Sequence, residues 1–289
     1  MPFFIAEISS NHNNSMDRIK KIIKSAKKSG FDAIKFQIFK IEKLFHKEIL
    51  KKSKFLRNRK KWELNLRFLD QIKKECKKNN IKLGFTPFYV EVVDKLNKYA
   101  DFFKIASYEI LWTDLIKVCA KKNKKIILST GMANLKEVKR AYNIAKKFNK
   151  NSKISVLHCV SSYPANFRNC NLSTIETLRK ELKCSVGWSD HTVDKNVINR
   201  AVNRWGAEDI ELHFDIDGKG YEANIGHCWL PKESFEIISS LRKNIDIDGS
   251  KIKKPTKVEL KERSWRADPS DGFRPLKYVR KKYLRKNKI

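Results

Sequence analysis

Two lysines stand inside segments that are otherwise apolar: Lys35 in Ala33-Ile34-Lys35-Phe36-Gln37 and Lys104 in Phe102-Phe103-Lys104-Ile105-Ala106. A buried, unpaired charge is costly, so each needs a partner. Polar groups occur at matching places in neighbouring apolar runs: Glu7, Gln37, Thr86, Ser107 with Glu109, Ser129 with Thr130, Ser161 with Tyr163, Ser189 with Asp190, and Glu211. One such lysine is explained by an internal ion pair with Glu7 or Glu211. Two lysines, four carboxylates and a ring of hydroxyls are better explained by an anion-binding site, because ammonium and hydroxyl groups together grip carboxylate and phosphate oxygens.

His191 and His213 end successive β-like runs, which would bring two imidazoles to one side of a shared mouth. With water and substrate oxygens they would form an open divalent-metal site suited to Lewis-acid work, and Mn²⁺, Mg²⁺, Co²⁺ and Zn²⁺ all accept such donors. His227 and Cys228 either cap that mouth or pack beneath it. His158 ends another run, and His46 lies in a basic stretch that reads as surface.

These residues need elements that converge. β-branched and aromatic runs recur at Phe3–Ser9, Ala33–Phe39, Lys82–Phe88, Phe102–Ser107, Lys125–Gly131, Ile154–Val160, Cys184–Asp190 and Asp209–Phe214, each followed by a helical pattern. Residues 15–29 open on Ser15 as N-cap, place Met16, Ile19, Ile22, Ile23 and Ala26 on one stripe, and stop at Gly30. Asn134 and Glu137 have capping-box spacing ahead of a second amphipathic helix. Eight strand–helix units predict an α/β fold, a (β/α)8 TIM barrel over 1–244 with a short C-terminal arm, in which the strand ends carry the chemistry. A doubly wound sheet is the alternative, but the turn after the first strand, Ser9-Ser10-Asn11-His12-Asn13-Asn14, contains no glycine to cradle a phosphate. The one long interval holds a basic insertion, Lys40 to Lys61. Residues 245–289 read as a basic arm and tail with no second globular domain, whose last ten residues are expected to fray.

The 289 residues are 41% hydrophobic and 11% aromatic, enough for a large core. Sixty-four Lys and Arg against 32 Asp and Glu give a formal charge of +32, which would attract polyanions. The lysines, however, are spread over nearly every helical pattern, as in Lys20, Lys21, Lys24, Lys27 and Lys28, so solvated helix faces are the simpler reading and a nucleic-acid partner is not expected. No apolar run is long enough to span a bilayer, so no membrane partner is expected. The six cysteines show no CxxC pair, which fits reduced thiols in a cytoplasm.

The segments Ile5-Ala6-Glu7-Ile8 with Asn11-His12-Asn13, Ala33-Ile34-Lys35-Phe36-Gln37, Phe85-Thr86-Pro87-Phe88, Lys104-Ile105-Ala106-Ser107-Tyr108-Glu109, Ser129-Thr130-Gly131-Met132, His158-Cys159-Val160-Ser161-Ser162-Tyr163-Pro164, Ser189-Asp190-His191-Thr192 and Glu211-Leu212-His213-Phe214 resemble, in order, the signatures of the N-acylneuraminate (sialic acid) synthase family. The resemblance implies a (β/α)8 enzyme that condenses phosphoenolpyruvate with an N-acylated hexosamine or related deoxy sugar, releasing phosphate and giving a nine-carbon 2-keto acid. It implies that Lys35, Thr86, Lys104, Ser107 and Ser189 bind phosphoenolpyruvate, that Glu7 is the acid/base carboxylate, and that Gln37, Glu109 and Tyr163 line the sugar. His191 and His213 match the metal ligands, with Mn²⁺ the expected ion and Mg²⁺ or Co²⁺ as alternatives, and a homodimer is the expected assembly. Ser161 replaces a common Asn. The usual turn after His213 is replaced by Asp215-Ile216-Asp217-Gly218-Lys219-Gly220-Tyr221-Glu222, leaving Asp217, Glu222 or His227 to contact the sugar. The family's C-terminal antifreeze-like domain has no counterpart in these residues, and the 255–280 arm, with Arg266 and Arg274, is a candidate substitute. Two other readings remain: a different aldolase or 3-deoxy-aldulosonate synthase on the same barrel, and a non-catalytic basic RNA- or surface-binding protein.

Overall fold

The structure, a computed structural model, describes residues 1–151 and 153–286. Eight parallel strands close into a barrel in chain order: β1 (Phe3–Glu7), β2 (Ala33–Ile38), β3 (Lys82–Pro87), β4 (Phe102–Ile105), β5 (Lys125–Ser129), β6 (Ile154–Cys159), β7 (Ser185–Asp190) and β8 (Asp209–His213). The open-sheet alternative is therefore excluded, since β1 pairs with β8 from Phe3 opposite Asp209 to Glu7 opposite His213. Most of the strands end one or two residues earlier than the sequence patterns suggest. Beyond those ends the backbone turns into the mouth loops, as at Ser9, which adopts φ +47°.

Helices Met16–Lys28 and Leu135–Phe148 form where their caps place them: Ser15 accepts from the Arg18 amide, and Asn134 and Glu137 complete a reciprocal capping box. Their apolar stripes join the main core between strands and helices. Side chains alternate in direction along each strand, so every second residue faces the barrel interior. A separate small cluster of Ile5, Ala33, Phe102, Ile127 and Leu157 belongs to those inward positions. One step further along β1, β2 and β4, the same inward register carries Glu7, Lys35 and Lys104.

Gly84 and Gly187 make this interior possible. A Cβ on Gly84 would lie 2.1 Å from the Phe102 ring, and one on Gly187 would lie 1.9 Å from the Asp209 carbonyl oxygen. The basic insertion folds into short helices, Ile41–Leu44, Lys47–Lys52 and Lys54–Asn58, followed by a 3₁₀ turn at Arg59–Trp62. Glu63 anchors it by accepting from the Ile41 amide and from Lys40. Among the described residues no helix is long and apolar enough to cross a membrane.

Contacts divide the chain into a unit of Met1–Asn244 and a small second unit from Ile245. Within the latter, the expectation of a frayed tail is corrected. Lys277–Lys286 is helical, with the Lys277 amide donating to Asp268 and Arg280 paired to Asp271. Residues 287–289 lie outside the described residues.

Gly84→Ala is expected to cost about 1–3 kcal/mol, the range for overpacking a filled core. Urea denaturation measures it, and an unchanged midpoint would show that the Phe102 ring has room to move.

Candidate active site

The C-terminal ends of the strands open into a cavity of about 520 Å³. Lys35 and Lys104 are 1% and 2% exposed, and both are paired. Lys35 bridges to Glu7 and donates to Thr86 Oγ1 at 2.8 Å. Lys104 Nζ lies 2.7 Å from both oxygens of Glu211, and Ser189 Oγ donates to the same carboxylate at 3.3 Å. The lysines are thus ion-paired, and they also line the cavity with Gln37, Ser107, Glu109 and Tyr163. Burial alone would raise the Glu211 carboxyl, but the charges of Lys104 and Lys35 outweigh it and hold the group well below its ordinary 4.5. Burial pushes Glu109 up to about 8, so its carboxyl is protonated at neutral pH, and Glu109 Oε2 has no partner among the described residues.

The Gly131 amide donates to Ser107 Oγ, which also lies 3.1 Å from Cys159 Sγ. Ser161 is not part of the cavity wall. Its Oγ lies so close to Gly131 that a Cβ there would sit 2.1 Å away, so any larger residue would force Ser161 to shift.

His213, Glu222 and His227 form a cluster whose ligand atoms all lie within 4.8 Å of one another. His213 Nδ1 is 3.1 Å from Glu222 Oε2 and 3.2 Å from His227 Nε2. His227, which the sequence left either capping the mouth or beneath it, joins the cavity wall. The His191 ring stands 5.2 Å from that of His213, and its Nδ1 bonds the Val160 carbonyl at 2.6 Å, leaving Nε2 for another partner. Burial lowers His191 to about 3 and His227 to about 4, so both are neutral imidazoles near pH 7. Burial would raise Glu222, but its hydrogen bond to His213 and the charges of His213 and His227 lower it to about 2. The neutral imidazoles of His191 and His227 beside the ionised Glu222 carboxylate are donors of the kind that a divalent cation takes.

The loop carrying Glu222 is held by the turn after β1. The Glu222 and Tyr221 amides donate to Asn11 and Asn13, both at 2.9 Å, and Arg18 pairs with Asp215 and Asp217. Asp217 is thereby tied to Arg18 and is not among the cavity residues. A Cβ on Gly220 would lie 2.3 Å from Asn11 Oδ1, so this clasp also needs glycine.

Two polar strand-end residues point elsewhere, as alternation requires. His158 packs on Trp188 and contacts the Cys170 carbonyl, while Asp190 accepts from Trp188, Thr192, Val193 and Trp229. His46 is exposed, as its surroundings suggest. The sequence reading missed Phe45, Arg59 and Trp62, which line the cavity from the insertion and the residue that follows it. Aromatic residues recurring in an otherwise basic stretch were the available signal.

Residues 22–253 match the NeuB family. The chain belongs to this family, that of the sialic acid synthases. It is 37% identical over 273 residues to the N,N'-diacetyllegionaminic acid synthase of Campylobacter jejuni, covering 89% of this chain and 80% of that one. It is 33% identical over 247 residues to a C. jejuni pseudaminic acid synthase, covering 82% and 71%. A crystal structure of N-acetylneuraminic acid synthetase from Leptospira borgpetersenii, in complex with citrate, superimposes with a TM-score of 0.79 at 32% identity, covering 91% of this chain and 90% of that one.

Glu211→Gln strands the Lys104 ammonium and is expected to cost about 3–5 kcal/mol at pH 7. Because the native carboxyl titrates below its unfolded value, its contribution is complete above about pH 4.5 and is lost as pH falls further. Urea melts of both proteins across pH 2–7 should show the gap closing in that acidic range.

Proposed function

We propose that this NeuB-family chain condenses phosphoenolpyruvate with an N-acylated hexosamine or related deoxy sugar, yielding a nine-carbon 2-keto sugar acid and phosphate. The observation that carries the reading is one cavity in which two buried lysine–carboxylate pairs and the hydroxyls of Thr86, Ser107 and Ser189 adjoin the His213–Glu222–His227 cluster. The named products of the family relatives supply its substrate class.

In this reading Lys35 and Lys104, with Thr86, Ser107 and Ser189, hold the carboxylate and phosphate of phosphoenolpyruvate so that C3 is aligned before reaction. Their native partners, Glu7 and Glu211, keep the ammonium groups in place between turnovers. Gln37, Glu109 and Tyr163 receive the sugar, and the protonated Glu109 carboxyl donates to a sugar oxygen. C3 attacks the open-chain aldehyde carbon, whose oxygen takes up a proton. Water adds to the cationic C2 and loses its proton to Glu7; cleavage of the C2–O bond then releases phosphate and leaves the ketone. His213, Glu222 and His227, with His191 beside them, would hold a divalent cation such as Mn²⁺, which when bound supplies Lewis-acid polarisation of the aldehyde. A Schiff-base aldolase is less well supported, because Lys104 spends its protons on both oxygens of Glu211.

Phosphate release from phosphoenolpyruvate is expected with Mn²⁺ and an N-acylated hexosamine or diamino-sugar acceptor, and chelation should abolish it. His213→Ala should lower kcat at least about 100-fold and weaken Mn²⁺ binding in a direct titration, in keeping with the loss of a ligand. No phosphate release with any acceptor of this class would overturn the assignment.

A further inference from the structure

The Lys40–Lys61 stretch reads in sequence as a basic insertion, yet together with the adjoining Trp62 it supplies Phe45, Phe55 and Arg59 to the cavity wall. Arg59 is half-buried there, its guanidinium 4.8 Å from the Trp62 ring centroid and 5.8 Å from that of Phe45. The two deep lysines are matched by Glu7 and Glu211. Arg59, by contrast, makes no side-chain hydrogen bond or ion pair among the described residues, and its Nε is buried without a partner. On the same 3₁₀ turn, Trp62 Nε1 is a second buried donor without one.

We infer that Arg59 is a specificity-determining residue that donates to the acyl carbonyl of the acceptor sugar, with the surrounding aromatic wall receiving the acyl methyl group. The inference rests on the function proposed above and deepens it. Two idle donors call for an accepting oxygen, since a buried donor left unpaired is costly. Phe45, Phe55, Phe88 and Ile225, which line the same cavity, call for an apolar group. An N-acyl substituent brings both within one planar unit. A phosphate would satisfy the guanidinium but leave the apolar wall unmatched, as would a face of sugar hydroxyls. The rings over the guanidinium also restrict its rotamers, so little freedom is lost when the ligand arrives.

The test compares initial rates of phosphate release for the full chain and for Arg59→Ala, Arg59→Lys and Trp62→Phe. Each is measured with an N-acetylated acceptor and with the same sugar lacking the acyl group. In Arg59→Ala the KM for the acylated acceptor should rise about 10- to 100-fold, while the KM for phosphoenolpyruvate and the kcat/KM for the unacylated sugar change by less than about threefold. Arg59→Lys should recover little, because the ammonium lacks the planar fork. Trp62→Phe keeps the ring and should show a smaller loss of the same kind. Thermal midpoints confirm that each variant is folded, and the two conservative variants decide the matter if Arg59→Ala is not. An active wild type whose variants keep the acceptor KM, lose both sugars equally, or instead raise the KM for phosphoenolpyruvate overturns the inference alone. A wild type that releases no phosphate overturns the underlying reading with it.

Discussion

Two ammonium groups are buried inside a closed barrel, and the rest of the site follows from keeping them there. A charge taken out of water must find an opposite charge in good geometry, and even then the pair is no better for stability than well-packed apolar residues. The pairs Lys35–Glu7 and Lys104–Glu211 therefore constrain the fold more than they stabilise it. They fix which face of β1, β2, β4 and β8 points inward, since a shift of one residue would turn each charge into the apolar layer outside. The interior apolar plug that includes Phe102, admitted by Gly84, lies one inward step before these charges.

The lysines also explain why so much was legible beforehand. Lys35 and Lys104 violate the apolar pattern of their strands, and a violation needing compensation marks a site. Strand periodicity, the Ser15 cap and the Asn134–Glu137 box fixed the element order because each is a short-range signal with a local cause. What stayed open, the choice among Asp217, Glu222 and His227, depends on long-range geometry. Glu222 and His227 reach the cavity on a loop held by Asn11, Asn13 and Arg18, and no spacing rule links residues about two hundred positions apart. Strand-end position alone also overcounted: His158 and Asp190 have the right composition but the wrong parity, and they face the outer layer.

The Lys40–Lys61 insertion was opaque for a different reason. Its lysine content carries no directional information, and its helices are too short for a clear amphipathic period. Arg59 and Trp62 are held in the wall by stacking and by the Glu63 anchor rather than by any pattern along the chain.

The clasp between the turn after β1 and the loop after β8 joins the two ends of the barrel unit. Phe214 and Cys228 both meet Asn11, and the Phe214 amide bonds back to the Glu7 carbonyl. A chain emerging from the ribosome can pair β1 with β2 early, but the imidazole–carboxylate cluster has no scaffold until residues beyond 229 have been synthesised and the seam has shut. The seam therefore depends on contacts of long sequence separation, which are among the slowest to form, so the cluster takes shape only as folding finishes.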